Sequence, residues 1–171
     1  MSDSQSPPAT ASCSCGSVQL EATGTPTTSV VCYCDDCQAG ARQIEALPNA
    51  RSIRDSDCGT AYVLYSKDRV LCSKGAELLR GYKLKEKSAT NRLVATCCNS
   101  LMFMSFSDAR HWVNVHRAQF QGGVPPLDMR ICTKFSPTKH AIPKDVPSYP
   151  GYPLRFMGKL IAAWIPMLLR R

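Results

Sequence analysis

The sequence lacks any run of about 18 uninterrupted apolar residues, the length a membrane-crossing helix needs, so no transmembrane segment is expected in its 171 residues. Residues 1–12 carry Ser, Pro and Thr but no basic start and no apolar stretch. A secretory signal is therefore not expected, and a cytoplasmic location with reduced thiols is. Histidine is scarce, with three in the chain. His111 and His116 are five apart, which does not place them on one strand face, and His140 lies in a proline-rich stretch. A serine-type triad has no support from such spacing. Neither a phosphate-cradling Gly-rich loop nor a Gly-x-Ser-x-Gly elbow is present. Acidic residues nearly vanish from the last quarter, where eight Lys and Arg face Asp145 alone over residues 129–171. Residues 1–128 hold 13 Lys and Arg against 12 Asp and Glu, so the net charge of +8 belongs to the C-terminal quarter.

What the chain has in excess is cysteine, ten in all. It is longer than the small disulfide scaffolds of secreted proteins, and reduced, closely spaced cysteines read as metal ligands or reactive thiols. Cys13-Ser14-Cys15 forms one group, Cys32-Tyr33-Cys34-Asp35-Asp36-Cys37 a second, and Cys97-Cys98 a third. A structural zinc takes four ligands in a tetrahedron, whereas a catalytic zinc keeps one corner open. Ligand counting assigns Cys13, Cys15, Cys97 and Cys98 to a complete site and Cys32, Cys34 and Cys37 to an open one. Neighbouring side chains on a strand point to opposite faces, so Cys97 and Cys98 share an ion only where the backbone turns sharply. The competing explanation for each group is a set of buried thiols or a disulfide. Cys58, Cys72 and Cys132 stand alone and read as unliganded thiols.

The organisation follows from length and breaks. At 44% hydrophobic residues the chain forms one domain with a real core. Short apolar runs separated by Gly, Asn, Asp and Ser predict strands at residues 18–21, 29–33, 61–65, 78–84, 92–96, 101–106 and 112–115. A short helix is predicted over residues 35–44, with Asp35 or Asp36 as its cap. Four segments result: a disordered leader at 1–12, a zinc-binding domain at 13–120, a proline-rich wrapping segment at 121–153, and a basic amphipathic helix at 154–171. Phe156, Leu160 and Trp164 are spaced to face a core, and Pro166 is expected to kink or end that helix.

Cys13-Ser-Cys-Gly-Ser-Val-Gln-Leu-Glu-Ala-Thr-Gly24 and Cys32-Tyr-Cys-Asp-Asp-Cys37 resemble the first two motifs of the glutathione-dependent formaldehyde-activating enzyme family, which includes centromere protein V. Gly75-Ala-Glu-Leu-Leu-Arg-Gly-Tyr82 is similar to that family's glycine-to-tyrosine strand. The third motif departs: Arg92 aligns, Ala95 stands where a cysteine belongs, Cys98 matches the second cysteine, and Cys97 replaces the lost ligand from a shifted position. The resemblance spans residues 12–117 and implies a mainly β, zinc-pinned antiparallel tent with short helices. It also implies a second zinc on Cys32, Cys34 and Cys37 whose fourth ligand is the thiol of a glutathione-like adduct. Asp36, beside that site, is the candidate for orienting it, a position that a helix cap explains equally well.

The function expected on this basis is a zinc-dependent carbon–sulfur lyase acting on the adduct of a thiol with an aldehyde or related carbonyl. The cofactors are two Zn2+ ions, one structural and one catalytic, and the partner is a small-molecule thiol adduct. The alternative is a non-catalytic zinc module that binds nucleic acid or chromatin through the basic C-terminus. A further option is peripheral membrane contact through residues 154–171.

Overall fold

Strand periodicity places a core on each side of one sheet. In the strand Thr60–Ser66, Tyr62 and Leu64 point to one core while Val63 and Tyr65 point to the other, as the two-residue repeat of a strand demands. All four are buried, which accounts for the continuous apolar run in the sequence. This strand lies centrally in a computed structural model that describes residues 8–169.

The elements in chain order are β1 (Ala9–Ser12), β2 (Gln19–Ala22), β3 (Thr28–Cys32), α1 (Asp35–Glu45), β4 (Thr60–Ser66), β5 (Val70–Lys74), β6 (Leu79–Tyr82), β7 (Thr90–Ala95), β8 (Ser100–Phe106), β9 (Trp112–His116), β10 (Met129–Ile131) and α2 (Leu154–Leu169). The protein is mainly β. A three-stranded sheet runs β1-β2-β5 and a seven-stranded sheet runs β10-β3-β4-β9-β8-β7-β6. Every pairing is antiparallel except that of β10 with β3, which is parallel. One core joins the small sheet to the large one through Val18, Leu20, Val63, Met102 and Val115. The other sits beneath the two helices and includes Ile44, Tyr62, Leu101, Phe156 and Leu160.

Several expectations need correction. The leader predicted over residues 1–12 is strand β1 from Ala9 onward, and its first seven residues lie outside the described residues. Neither Asp35 nor Asp36 caps α1: Cys34 is the N-cap, without a side-chain cap bond, and the two aspartates occupy the first turn, where they favour the positive helix end. Pro166 does not end α2, which runs on to Leu169. The residue is exposed, so the carbonyl it leaves without a backbone donor is open to water.

The segment at residues 121–153 wraps the domain through a buried charge network. Arg130 Nη1 donates to Asp57 Oδ2 at 2.8 Å, and its Nε donates to Asp145 Oδ1 at 2.9 Å. Tyr33 Oη donates to Asp57 Oδ2 at 2.6 Å, and the Asp57 carbonyl accepts from Thr138 Oγ1 at 3.0 Å. Paired in this way, buried Arg130 and Asp57 tie the proline-rich chain to β3 and the loop before β4, with exposed Asp145 on the outer side.

Candidate functional site

The first cysteine group is built by two hairpin turns. Residues 13–18 close the β1–β2 hairpin, where Gly16 holds a left-handed φ of +77° that costs glycine little. The Val18 amide donates to Cys13 Sγ at 3.2 Å and the Gly16 amide to the Cys13 carbonyl at 2.9 Å, which folds the turn around sulfur. Residues 96–99 form the turn between β7 and β8, with Asn99 at a φ of +51°. Cys97 and Cys98 therefore sit on a sharp turn, not on a pleated strand, and the opposite-faces objection falls away. Cys15 Sγ is 3.3 Å from Cys97 Sγ, Cys13 Sγ is 3.6 Å from Cys15 Sγ, and Cys97 Sγ is 3.9 Å from Cys98 Sγ. All four sulfurs lie within 4.8 Å of one another and could hold a metal ion. Ser14 and Ser100 hydroxyls bond across the same junction at 3.0 Å. The group joins residues over 80 positions apart and links the two sheets.

The second group forms where β3 hands over to α1. Cys32 ends the strand, Cys34 is the helix N-cap and Cys37 lies in the first turn. A strand end, a cap and a first turn bring three thiols at C-x-C-x-x-C spacing to one point, with their sulfurs also within 4.8 Å. The positive end of α1 favours anionic sulfur here. Cys34 is held far below the ordinary thiol range because it accepts from Cys32 and Cys37. Cys32 is pushed up because its single thiol proton is held among the sulfurs of Cys132, Cys34 and Cys37, and by burial. Without metal the cluster thus favours one shared negative charge. A dication would hold the whole set deprotonated.

These three cysteines lie in a cavity of about 360 Å³. Tyr62, Phe106, Trp112, Phe156 and Leu160 form its apolar walls, and Arg92 and Asn114 bring polar groups. None of Cys13, Cys15, Cys97 and Cys98 lines it. The second cluster is thus the one with room for a ligand.

Arg92 is 2% exposed, and no carboxylate pairs with it among the described residues. Its Nη2 donates to the Asp36 carbonyl at 2.7 Å, while its buried Nη1 has no partner. A Cβ on Gly40 would come within 2.1 Å of Arg92 Nε, so the bare backbone of α1 makes the space for this guanidinium. A buried, unpaired charge is costly. What lies close to Arg92 is Cys37, whose thiol is on balance pushed up by Cys34 and burial, and Arg92 works against that push. Three thiolates around a dication carry one net negative charge, and Arg92 is the buried cation that would balance it.

The cysteines are legible in the sequence, and their neighbours in space are not. Cys132, buried and at a φ of +59°, brings a fourth sulfur to Cys32 but lies outside the group of three. The Tyr152 hydroxyl lies within reach of Cys34 and Cys132 and favours the thiolate of each. Both come from the proline-rich segment, and no short-range signal marked them. Arg92 did leave a signal, as the arginine that aligns with the third motif, but not as part of the three-cysteine site. The carboxylate of Asp36 is not what that residue offers; its backbone carbonyl accepts from Arg92, and the residue is exposed at the cavity rim. Cys58 and Cys72 join neither cluster. The histidines serve packing: His111 Nε2 donates to the Leu160 carbonyl at 2.7 Å, and His116 Nε2 to the Ile53 carbonyl at 3.3 Å.

Among curated proteins, none matches the sequence. A crystal structure of a Rhodobacter sphaeroides protein is similar over 68% of this chain and 91% of that one, at 17% identity and a TM-score of 0.47. Residues 5–161 match a family of unknown function (DUF6151), and the chain belongs to that family.

Proposed function

We propose that the protein is a zinc-dependent carbon–sulfur lyase acting on the adduct of a glutathione-like thiol with an aldehyde or related carbonyl. Its structural zinc belongs to Cys13, Cys15, Cys97 and Cys98, and its catalytic zinc to Cys32, Cys34 and Cys37. One observation carries the reading: the three-thiol group lines a cavity and the four-thiol group does not. The motif resemblance supports the same assignment.

In a hemithioacetal the C–S bond breaks while the hydroxyl proton passes to sulfur, giving a free thiol and a carbonyl compound; the reverse reaction forms the adduct. No oxidant or reductant is consumed. Bound zinc supplies a Lewis acid beside which a thiol remains ionised near neutral pH. The aromatic and aliphatic walls hold the organic body of the adduct and exclude water. Arg92 offsets the negative charge of the thiolates, and Tyr152 caps Cys34 with a hydrogen bond.

Cobalt(II) substitution tests the proposal, because thiolate-to-cobalt absorption reports the sulfur count. Adding glutathione or another small thiol should intensify that absorption in the wild-type protein and leave the Cys34→Ser variant unchanged. A wild-type spectrum indifferent to every small thiol would end the reading.

A further inference from the structure

α2 is apolar on two faces. Phe156, Leu160 and Met167 are buried and fix the helix to the domain. Leu154, Met157, Ile161, Trp164, Ile165, Leu168 and Leu169 are all exposed, with Leu154 at 91%, Ile161 at 59%, Ile165 at 57% and Leu169 at 83%. On a helix of 3.6 residues per turn these seven fall within an arc of about 140°, centred about 130° from the buried three, with Trp164 at the edge nearest the core, where it stacks on His111. Soluble proteins seldom leave so continuous an apolar strip open unless it binds something.

We propose that this outer face of α2 docks the protein onto an anionic lipid surface, lying in the plane of the interface. Charge selects this occupant. Residues 146–171 contain no Asp or Glu, while Arg155 lies on α2 and Arg170 and Arg171 follow it in sequence. Arg155 falls on the flank between the outer and inner faces, where a basic side chain reaches headgroups while the apolar strip enters the acyl boundary. Exposed Lys134, Lys139 and Lys144 add to the positive charge of the same quarter. A second copy on the same strip would set two such basic segments against each other, whereas an anionic leaflet attracts them.

The geometry fits an interface better than a span. α2 has 16 residues, about 24 Å at 1.5 Å per residue, short of a hydrocarbon core of about 30 Å. No helix among the described residues is long and apolar enough to cross a membrane. Because the inner face already holds α2 in place, docking requires no folding of the helix and loses little to ordering.

The test is co-sedimentation of the full chain with phosphatidylcholine vesicles, with and without phosphatidylglycerol. The protein should pellet with the mixed vesicles at least about tenfold more strongly than with the neutral ones, and salt should release it. The double variant Ile161→Ser/Ile165→Ser touches neither cavity nor core. It should lose pelleting while keeping its melting temperature and zinc content. Arg155→Glu/Arg170→Glu should weaken binding to the mixed vesicles only. Failure of the wild-type protein to pellet with mixed vesicles would overturn the proposal. So would a wild-type dimer that dissociates in the Ile161/Ile165 variant without any vesicle binding, which would assign the strip to a second copy. DNA retention by a protein that ignores vesicles would assign the basic quarter to nucleic acid.

Discussion

The two cysteine clusters share a donor type and differ in almost everything else. The first lies between hairpin turns, has four sulfurs, exposes Cys15 and Cys97, and joins two sheets. The second lies at a helix N-terminus, has three sulfurs, buries Cys32 and Cys37, and lines a cavity beside a buried guanidinium. Ligand number alone does not separate scaffold from reaction centre. Ligand number, access and charge balance together carry the proposed division, in which the four-sulfur group serves the fold and the three-sulfur group beside a cavity serves a ligand.

The comparison breaks most visibly at Cys15. The first cluster closes a loop of more than 80 residues, and metal binding at structural thiolate sites is worth on the order of 10 kcal/mol. Cys15→Ser should give an insoluble or unfolded chain that lacks its zinc, as circular dichroism and metal analysis would show. A wild-type melt and full zinc content would remove the structural assignment.

Acid provides the next largest effect and sharpens the comparison by separating unfolding from loss of metal. Burial holds His116 at about 4, against 6.5 in an open chain. The unfolded chain therefore takes up a proton that the folded one refuses. The stability His116 confers is present above 6.5 and lost as pH falls toward 4, by about 3 kcal/mol at pH 4. His116→Gln should flatten that part of the melting profile and leave the pH dependence of zinc release unchanged. Equal slopes in the two proteins would contradict a buried neutral imidazole.

A smaller effect is expected at Arg92. Replacing it with Leu should lower zinc affinity at the second cluster by about 10- to 100-fold, read by chelator competition, and spare the first. An Arg92→Leu protein with undiminished zinc affinity would show that the guanidinium does not balance the cluster.

The sequence made much of this visible, and its limits are physical. Both cysteine groups were readable because their ligands are local pairs and triples, and the short apolar runs of β4, β7, β8 and β9 between polar breaks exposed the large sheet. β1 and β5 gave no such signal because they are edge strands of the small sheet: Ala9–Ser12 has no large apolar residue, and Leu71 of β5 faces solvent. β10 escaped because it pairs with β3 across about a hundred residues and sits among prolines. The same non-local pairing brings Cys132 and Tyr152 to the second cluster and Arg130 to Asp57, so no window of sequence contains those contacts.

Zinc stoichiometry and folding of the Cys34→Ser protein, measured together, test the division of labour most directly. A folded protein with a near wild-type melt, one zinc equivalent fewer and no response to added thiol is the expected result. Unfolding of Cys34→Ser, or retention of both zinc ions, would contradict it.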